Sequence, residues 1–351
     1  MVELLLLGPG NVRGNPREDA GHGCRRRRLA AAGAFPDAHG GQGPQHRLRI
    51  PHGMVVMNQR AVLLLAVWLL AACAPGGAPV ETQAPAVEAN GDTSAQTVLS
   101  SDGVRIHYDD LGAGDPVLVF VHGWSCDRSY WSGQIEHFAQ SHRVVNIDLA
   151  GHGDSGLDRA EWTMQAFGED VSAVVTALDL NNIVLVGHSM GGKVIVEAAR
   201  RLGDRVIGVV GADTFHRGAR ETPRERQEEV FGQLAEDYAG FISDFVDRTF
   251  VEQSDPAIRE WVRADMAAAP YASAVGARQA SGSYDATPAV ASLNVPFVLI
   301  NSDFLPTDIA HLEANAKQFL YLEMSGVGHF VMLEDPETFN ALLSAVLADI
   351  T

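Results

Sequence analysis

The run Asn182 to Gly192, N-I-V-L-V-G-H-S-M-G-G, constrains this chain more than any other stretch. Ile183 to Val186 is apolar and mostly β-branched, which predicts a buried strand. The strand stops at Gly187, and Lys193 to Arg201 continues with helix-compatible residues. Between them Gly187-His188-Ser189-Met190-Gly191 fits G-x-S-x-G. A serine pinched between a strand and a helix sits on a tight, strained turn, and the flanking glycines leave room where Cβ atoms would collide. The turn should push Ser189 Oγ out at the carboxyl edge of a sheet. The helix should aim its first N–H groups at the place where an oxyanion develops. Five residues alone match by chance. The strand before and the helix after make Ser189 a candidate nucleophile rather than an idle serine in a glycine-rich turn.

With 351 residues, 46% of them apolar, the chain is long enough for one large domain or two small ones. Its formal charge of −18 is unevenly spread: nine Arg stand against four acids before Cys73, and 17 bases against 40 acids from there on. So acidic a body argues against a nucleic-acid partner and does not identify a substrate. The three cysteines, Cys24, Cys73 and Cys126, form neither a disulfide framework nor a metal-ligand cluster, and no metal or organic cofactor is expected.

Residues 1–53 are rich in Gly, Pro and Arg, carry the run Arg25 to Arg28 and show no apolar period. A basic run can mean nucleic-acid or membrane contact. The plainer reading is a non-native, disordered extension, because Met54 or Met57 offers a better start. From Met57 the text is M-N-Q-R, then apolar from Ala61 to Ala72, then Cys73. A short positive region, an apolar region and a small-residue site make residues 54–73 a secretory signal peptide. The apolar region is too short to span a bilayer, which needs about 20 residues. Leu70-Ala71-Ala72-Cys73 resembles the bacterial lipobox, which implies cleavage before Cys73 and lipid attachment to it. The alternative is an ordinary signal peptide with a chance cysteine. Ala74 follows the cysteine, which by resemblance to Gram-negative lipoproteins favours the outer membrane. Residues 74–96, rich in Ala, Pro, Gly and acids and without an aromatic, cannot bury enough surface to order themselves. They read as a tether of roughly 25 Å root-mean-square reach. A membrane partner would then be reached through the lipid.

From residue 97 onward strands alternate with helices. A hairpin is expected over Thr97 to Leu99 and Val104 to Tyr108, and strands over Pro116 to Val121, Arg143 to Asp148, Ile183 to Val186, Arg205 to Gly211, Val295 to Asn301 and Phe319 to Met324. Helices are expected over Arg128 to Gln140, Thr163 to Leu180 with Thr163 as N-cap, Asp308 to Lys317 and Pro336 to Ile350. This alternation predicts a doubly wound, mostly parallel α/β sheet covered on both faces. About 214–294 breaks the pattern. Pro223 to Val251 reads as one helix carrying Phe231, Leu234, Tyr238, Phe241, Ile242 and Phe245, and a second helix starts at Asp255-Pro256. A helical insert after the sixth strand would sit above the carboxyl edge of the sheet, as a cap. Most of its aromatics should pack the cap onto the sheet, and some could line a pocket.

Four matches gather around this frame: His122-Gly123-Trp124 after the third strand, Gly151-His152-Gly153-Asp154-Ser155-Gly156 after the fourth, the Ser189 turn after the fifth, and Gly326-Val327-Gly328-His329-Phe330 with Leu333-Glu334-Asp335-Pro336 near the end. Together they resemble the α/β-hydrolase family over Thr97 to Ile350, most of all its serine esterase-like branch with a helical cap. A serine needs a base in contact to attack at neutral pH, and the resemblance makes His329 that base. It also implies an oxyanion hole built from the backbone N–H groups of Trp124 and Met190. His122 and His152 should shape loops, His188 should pack under the turn, and Cys126 should be a free thiol rather than a second nucleophile. The acid departs from the family pattern. After the seventh strand the text is Asn301-Ser302-Asp303-Phe304-Leu305-Pro306, so Leu305 stands where an aspartate is expected. A shortened turn would let Asp303 serve. Asp213, after the sixth strand, is the alternative, and Asp308 is a third. All precede His329 and follow Ser189, so chain order does not choose.

The function this implies is hydrolysis of a small-molecule carboxylic ester or lactone through an acyl-enzyme. The same residues would serve carbon–carbon bond hydrolysis of a diketone, or a perhydrolase/haloperoxidase-like reaction. A lipid-anchored binding module of the same fold is the non-enzymatic alternative, because a fold alone does not fix a function. The sequence does not specify an oligomeric state.

Overall fold

Short apolar runs rich in Val and Ile become the strands of one eight-stranded sheet in the computed structural model, which describes residues 96–351. The segments expected as extension, signal peptide and tether, with Cys73, lie up to residue 95 outside the described residues. The strands are β1 (Gln96–Leu99), β2 (Arg105–Leu111), β3 (Val117–Val121), β4 (Val144–Ile147), β5 (Ile183–His188), β6 (Val206–Ala212), β7 (Phe297–Ser302) and β8 (Phe319–Met324). Their order is β1-β2-β4-β3-β5-β6-β7-β8. β2 runs antiparallel to both β1 and β4, and every other neighbouring pair is parallel. β3, β4, β5 and β7 are buried at every position, as expected of parallel strands covered on both faces. β4 and β5 lie on opposite sides of β3, so the connections diverge there and open a crevice at the carboxyl ends of the strands.

The covering helices are α1 (Ser132–Phe138), α2 (Met164–Ala177) and α3 (Met190–Leu202), followed after β6 by α4 (Arg224–Glu236), α5 (Tyr238–Thr249), α6 (Pro256–Ala268), α7 (Tyr271–Ser283) and α8 (Thr287–Ser292). α9 (Ile309–Asn315), the short α10 (Val331–Glu334) and α11 (Pro336–Ile350) complete the set. Thr163 caps α2, its Oγ1 accepting the Ala166 N–H at 3.0 Å. The segment expected as one helix over 223–251 is two. Asp237 sits at φ −149, ends α4, and accepts the Gly240 N–H at 2.9 Å to start α5. An aspartate that can bond its own backbone competes with a continuous helix in this way. α7 carries Ala, Ser and Gly on its buried face and has no side-chain cap, so little in its text marks it.

A buried ion pair fixes the loop after β4 against α2. The Arg159 guanidinium meets Asp170 at 2.5 Å with both side chains shielded. Asp170 also accepts the Ser100 hydroxyl at 2.6 Å and the Ala150 N–H at 3.2 Å. The pair is thus hydrogen-bonded on several sides, as a buried charge must be. No helix among the described residues is long and apolar enough to cross a membrane.

Candidate active site

Ser189 stands between β5 and α3 at φ 53 and ψ −113, a left-handed conformation that costs a residue with a Cβ. The surrounding glycines explain how the turn closes. A Cβ on Gly187 would lie 2.5 Å from the Gly191 carbonyl oxygen, and one on Gly191 would lie 2.6 Å from the carbonyl oxygens of Val121 and His122. The first turn of α3 therefore presses onto the end of β3. A Cβ on Gly123 would come within 3.4 Å of Ser189 Cβ, so the loop after β3 passes directly over the serine. Ser189 makes no cap bond to α3 with its side chain, which leaves Oγ to another partner.

That partner is His329. Its Nε2 lies 2.9 Å from Ser189 Oγ, and its Nδ1 lies 2.6 Å from Asp213 Oδ2. The carboxylate can only accept, so Nδ1 carries the proton and Nε2 is left to accept from the serine. The His329 N–H bonds the Thr249 carbonyl at 2.7 Å, which ties the histidine loop to the end of α5. Asp213 takes the place preferred for Asp303. It sits just past β6 at φ 43, fully buried, and Asn301 of β7 clamps the next residue by accepting the Thr214 N–H at 3.1 Å and donating to the Thr214 carbonyl at 2.7 Å. Asp303 is exposed, and its Oδ1 accepts the Gly326 N–H at 3.1 Å. The reason is strand alternation. Ser302 points inward and donates both its N–H and its hydroxyl to Asp213 Oδ1 at 2.7 Å, so the next residue points away. Asp308 caps α9 and pairs with Arg220.

Burial would raise the Asp213 pKa, but hydrogen bonds from His216 and His329 outweigh it and hold the carboxyl well below the usual range. His216 is a member of the site that the sequence reading missed. Its Nε2 lies 3.2 Å from Asp213 Oδ2 and its Nδ1 3.1 Å from Thr307 Oγ1. Three residues past Asp213 in a loop, it carries no motif that would have marked it. Asp213, His216 and His329 place three ligand atoms within 4.8 Å of one another. Those atoms already bond to each other, and a metal there would displace the proton that orients His329.

Trp124 and Met190 flank the serine, one in the loop over it and one at the start of α3. The other histidines are structural. Leu149 N–H donates to His122 Nε2 at 3.0 Å, so Nδ1 holds the proton and gives it to the Gly123 carbonyl at 2.8 Å, fixing the bend of that loop. Burial pulls the His122 pKa down to about 4 and keeps the ring neutral. His188 Nε2 donates to the His329 carbonyl at 3.0 Å, and its ring packs against that of His329 at a tilt of 48°, with centroids 4.7 Å apart. Cys126 is a buried free thiol whose pKa burial pushes well up, which suits neither nucleophile nor ligand.

The cap closes over this arrangement through aromatics. The Trp124 indole N–H donates to the Ala274 carbonyl of α7 at 2.7 Å. The same ring meets Phe241 and Phe245 edge-on, with centroids at 6.1 and 5.5 Å, and Phe245 in turn meets the His329 ring at 6.3 Å. Beside the loop over the serine, Asp265 of α6 faces a cavity of about 240 Å³ shared with Ser125, Cys126 and His152. Burial, reinforced by the charge of Asp127, pushes the Asp265 pKa up to about 6. A carboxyl that keeps its proton to higher pH when folded loses stability as pH rises from roughly 4 to 6. Asp265→Asn should therefore raise the melting temperature at pH 7 and converge with the native protein near pH 4, as read by thermal unfolding across that range. Equal melting curves at pH 7 would show that the carboxyl costs the fold nothing.

The model of the alpha/beta hydrolase family matches residues 118–342. The chain is similar to the bifunctional esterase/perhydrolase DCH of Acinetobacter calcoaceticus, 30% identical over 71% of this chain and 98% of that protein. Its structure is similar to that of a thermophilic esterase from Thermogutta terrifontis, with TM-score 0.64 and 27% identity over 73% of this chain and 99% of that one. It is also similar in fold to an enol-lactonase from Burkholderia xenovorans, with TM-score 0.65 and 21% identity over 72% of this chain and 100% of that one.

Proposed function

We propose that this chain, which belongs to the alpha/beta hydrolase family, is a serine hydrolase that cleaves a carboxylic ester or lactone through an acyl-enzyme. The observation that carries this reading is the continuous chain Ser189 Oγ to His329 Nε2 at 2.9 Å and His329 Nδ1 to Asp213 Oδ2 at 2.6 Å. Ser189 Oγ attacks the carbonyl carbon while His329 Nε2 takes its proton. The carbonyl oxygen becomes an oxyanion held by the N–H groups of Trp124 and Met190. The intermediate collapses, His329 returns the proton to the leaving oxygen, and the alcohol departs, or in a lactone stays attached to the acyl group. Water then repeats the sequence and frees Ser189. Asp213 stays ionised throughout and orients the imidazole.

p-Nitrophenyl esters of two to eight acyl carbons test this. The expected result is turnover with a burst of about one p-nitrophenol per chain if deacylation is slow, and loss of turnover after labelling of Ser189 by a fluorophosphonate. A protein that cleaves none of these esters, nor any lactone, and leaves Ser189 unlabelled would overturn the reading. The similarity to an esterase/perhydrolase favours a second use of the same acyl-enzyme, in which hydrogen peroxide replaces water and a peracid leaves. Peracid formation from acetate and peroxide would detect it.

A further inference from the structure

Among the described residues the buried and half-buried arginines have acidic partners, with two exceptions: Arg259, whose Nη2 donates to the Val251 carbonyl at 2.7 Å, and Arg278. Arg159 pairs with Asp102 and Asp170, Arg128 with Asp109 and Asp148, and Arg143 with Asp110. Arg278, on α7, does not. Among the described residues its Nε–H meets no acceptor although the atom is sealed from water. The ionised side chains that bear on it, Arg226 and Lys193, are cations too. The chain holds 44 acids against 26 bases, so supplying a counter-ion would take little. A buried, unpaired guanidinium is costly and persists where something outside the chain completes it.

Its position says what that is. The guanidinium lies 5.5 Å from the centre of the Trp124 ring, and Trp124 follows the glycine that touches Ser189. One turn earlier on α7, Ala274 accepts the Trp124 indole N–H at 2.7 Å, so helix, arginine and indole form one wall. Arg278 is only half-buried by area, while burial pulls its pKa down to about 10. Lys193 of α3 adds positive charge from the same side, but its Nζ is committed to the Ser281 carbonyl at 2.6 Å.

We propose that Arg278 is a carboxylate-binding residue of the substrate pocket, and that the preferred substrate is an ester or lactone bearing a carboxylate on a short aliphatic spacer from the scissile carbonyl. This rests on the hydrolase reading above and narrows it. The guanidinium lies over the Trp124 ring and offers parallel N–H donors that match a carboxylate.

The test compares monomethyl succinate, glutarate and adipate with methyl butyrate, pentanoate and hexanoate, each pair alike except for the terminal charge, by pH-stat with the full chain. The native protein should prefer the anionic member in kcat/KM, and Arg278→Gln should cut that preference about 10- to 100-fold, with Arg278→Lys between them. Arg278→Gln should also melt no lower than the native protein, since it removes an unpaired charge. A preference ratio that Arg278→Gln leaves unchanged, or a native protein that favours the neutral esters, would overturn the proposal while leaving the hydrolase reading intact. If the native protein cleaves no ester at all, that reading falls, and calorimetry with adipate dianion decides this one alone. Binding weakened at least tenfold by Arg278→Gln supports it, and binding absent or unaffected overturns it.

Discussion

Ser189→Ala is expected to lower kcat for p-nitrophenyl butyrate by about 10⁶-fold, to the residue left by binding and the oxyanion hole alone. The magnitude follows from the geometry. His329 Nε2 has Ser189 Oγ at 2.9 Å, and Cys126, a possible substitute nucleophile by type, is a buried thiol held protonated. With the serine gone the imidazole would have no oxygen on the chain to activate, and a burst of p-nitrophenol should vanish. Retention of more than about 1% of activity with an intact burst would move the nucleophile elsewhere. A companion variant separates chemistry from fold. Ser189 holds φ 53, where a Cβ is strained, so Ser189→Gly should be equally inactive and yet more stable than native by about 1–2 kcal/mol in denaturant unfolding. Strain stored at the reacting residue and released by its removal is the pattern of a functional turn.

Much of this was legible in the sequence, for reasons that differ by element. β5, Ser189 and α3 are local: an apolar β-branched run, glycines where a Cβ would strike backbone, and a helix-compatible continuation lie within one short stretch. His329 was legible because its loop has a glycine-rich text of its own. Thr163 as a cap needed only its neighbours. The acid was not legible, because its identity depends on which strands lie side by side. Asp213 meets His329 only after β6 pairs with β7, bringing Ala212 opposite Ile300, with Asn301 and Ser302 left to clamp and bond the turn. A residue on either strand end would satisfy the linear pattern. His216 and Arg278 were hidden for the same reason, since each is singled out by its partners, or by the lack of one, across the fold. The division at Asp237 was missed because helix-compatible residues continue on both sides of a single capping side chain.

That dependence on pairing makes Asp213→Asn the sharper test of the site. We expect a loss of about 10⁴-fold in kcat, against a change of no more than about threefold for Asp303→Asn. The carboxylate accepts four donors: the Ser302 N–H and hydroxyl on Oδ1, and the His329 and His216 imidazoles on Oδ2. An asparagine keeps one acceptor oxygen, and the Ser302 backbone N–H holds it on the Oδ1 side. Its amide then points N–H groups at His329 Nδ1. The imidazole can answer only by moving its proton to Nε2, which faces Ser189 with a donor where the reaction needs an acceptor. Fold and pocket survive, so KM should change far less than kcat. The Asp213 carboxyl is held well below the usual range, so it stays ionised wherever the native protein is folded and contributes stability that is lost only as pH falls below about 4. The acid limb of the native kcat–pH profile should therefore not report the Asp213 carboxyl. If Asp303→Asn instead removes the activity and Asp213→Asn does not, the 2.6 Å contact between Asp213 and His329 does not describe the working enzyme.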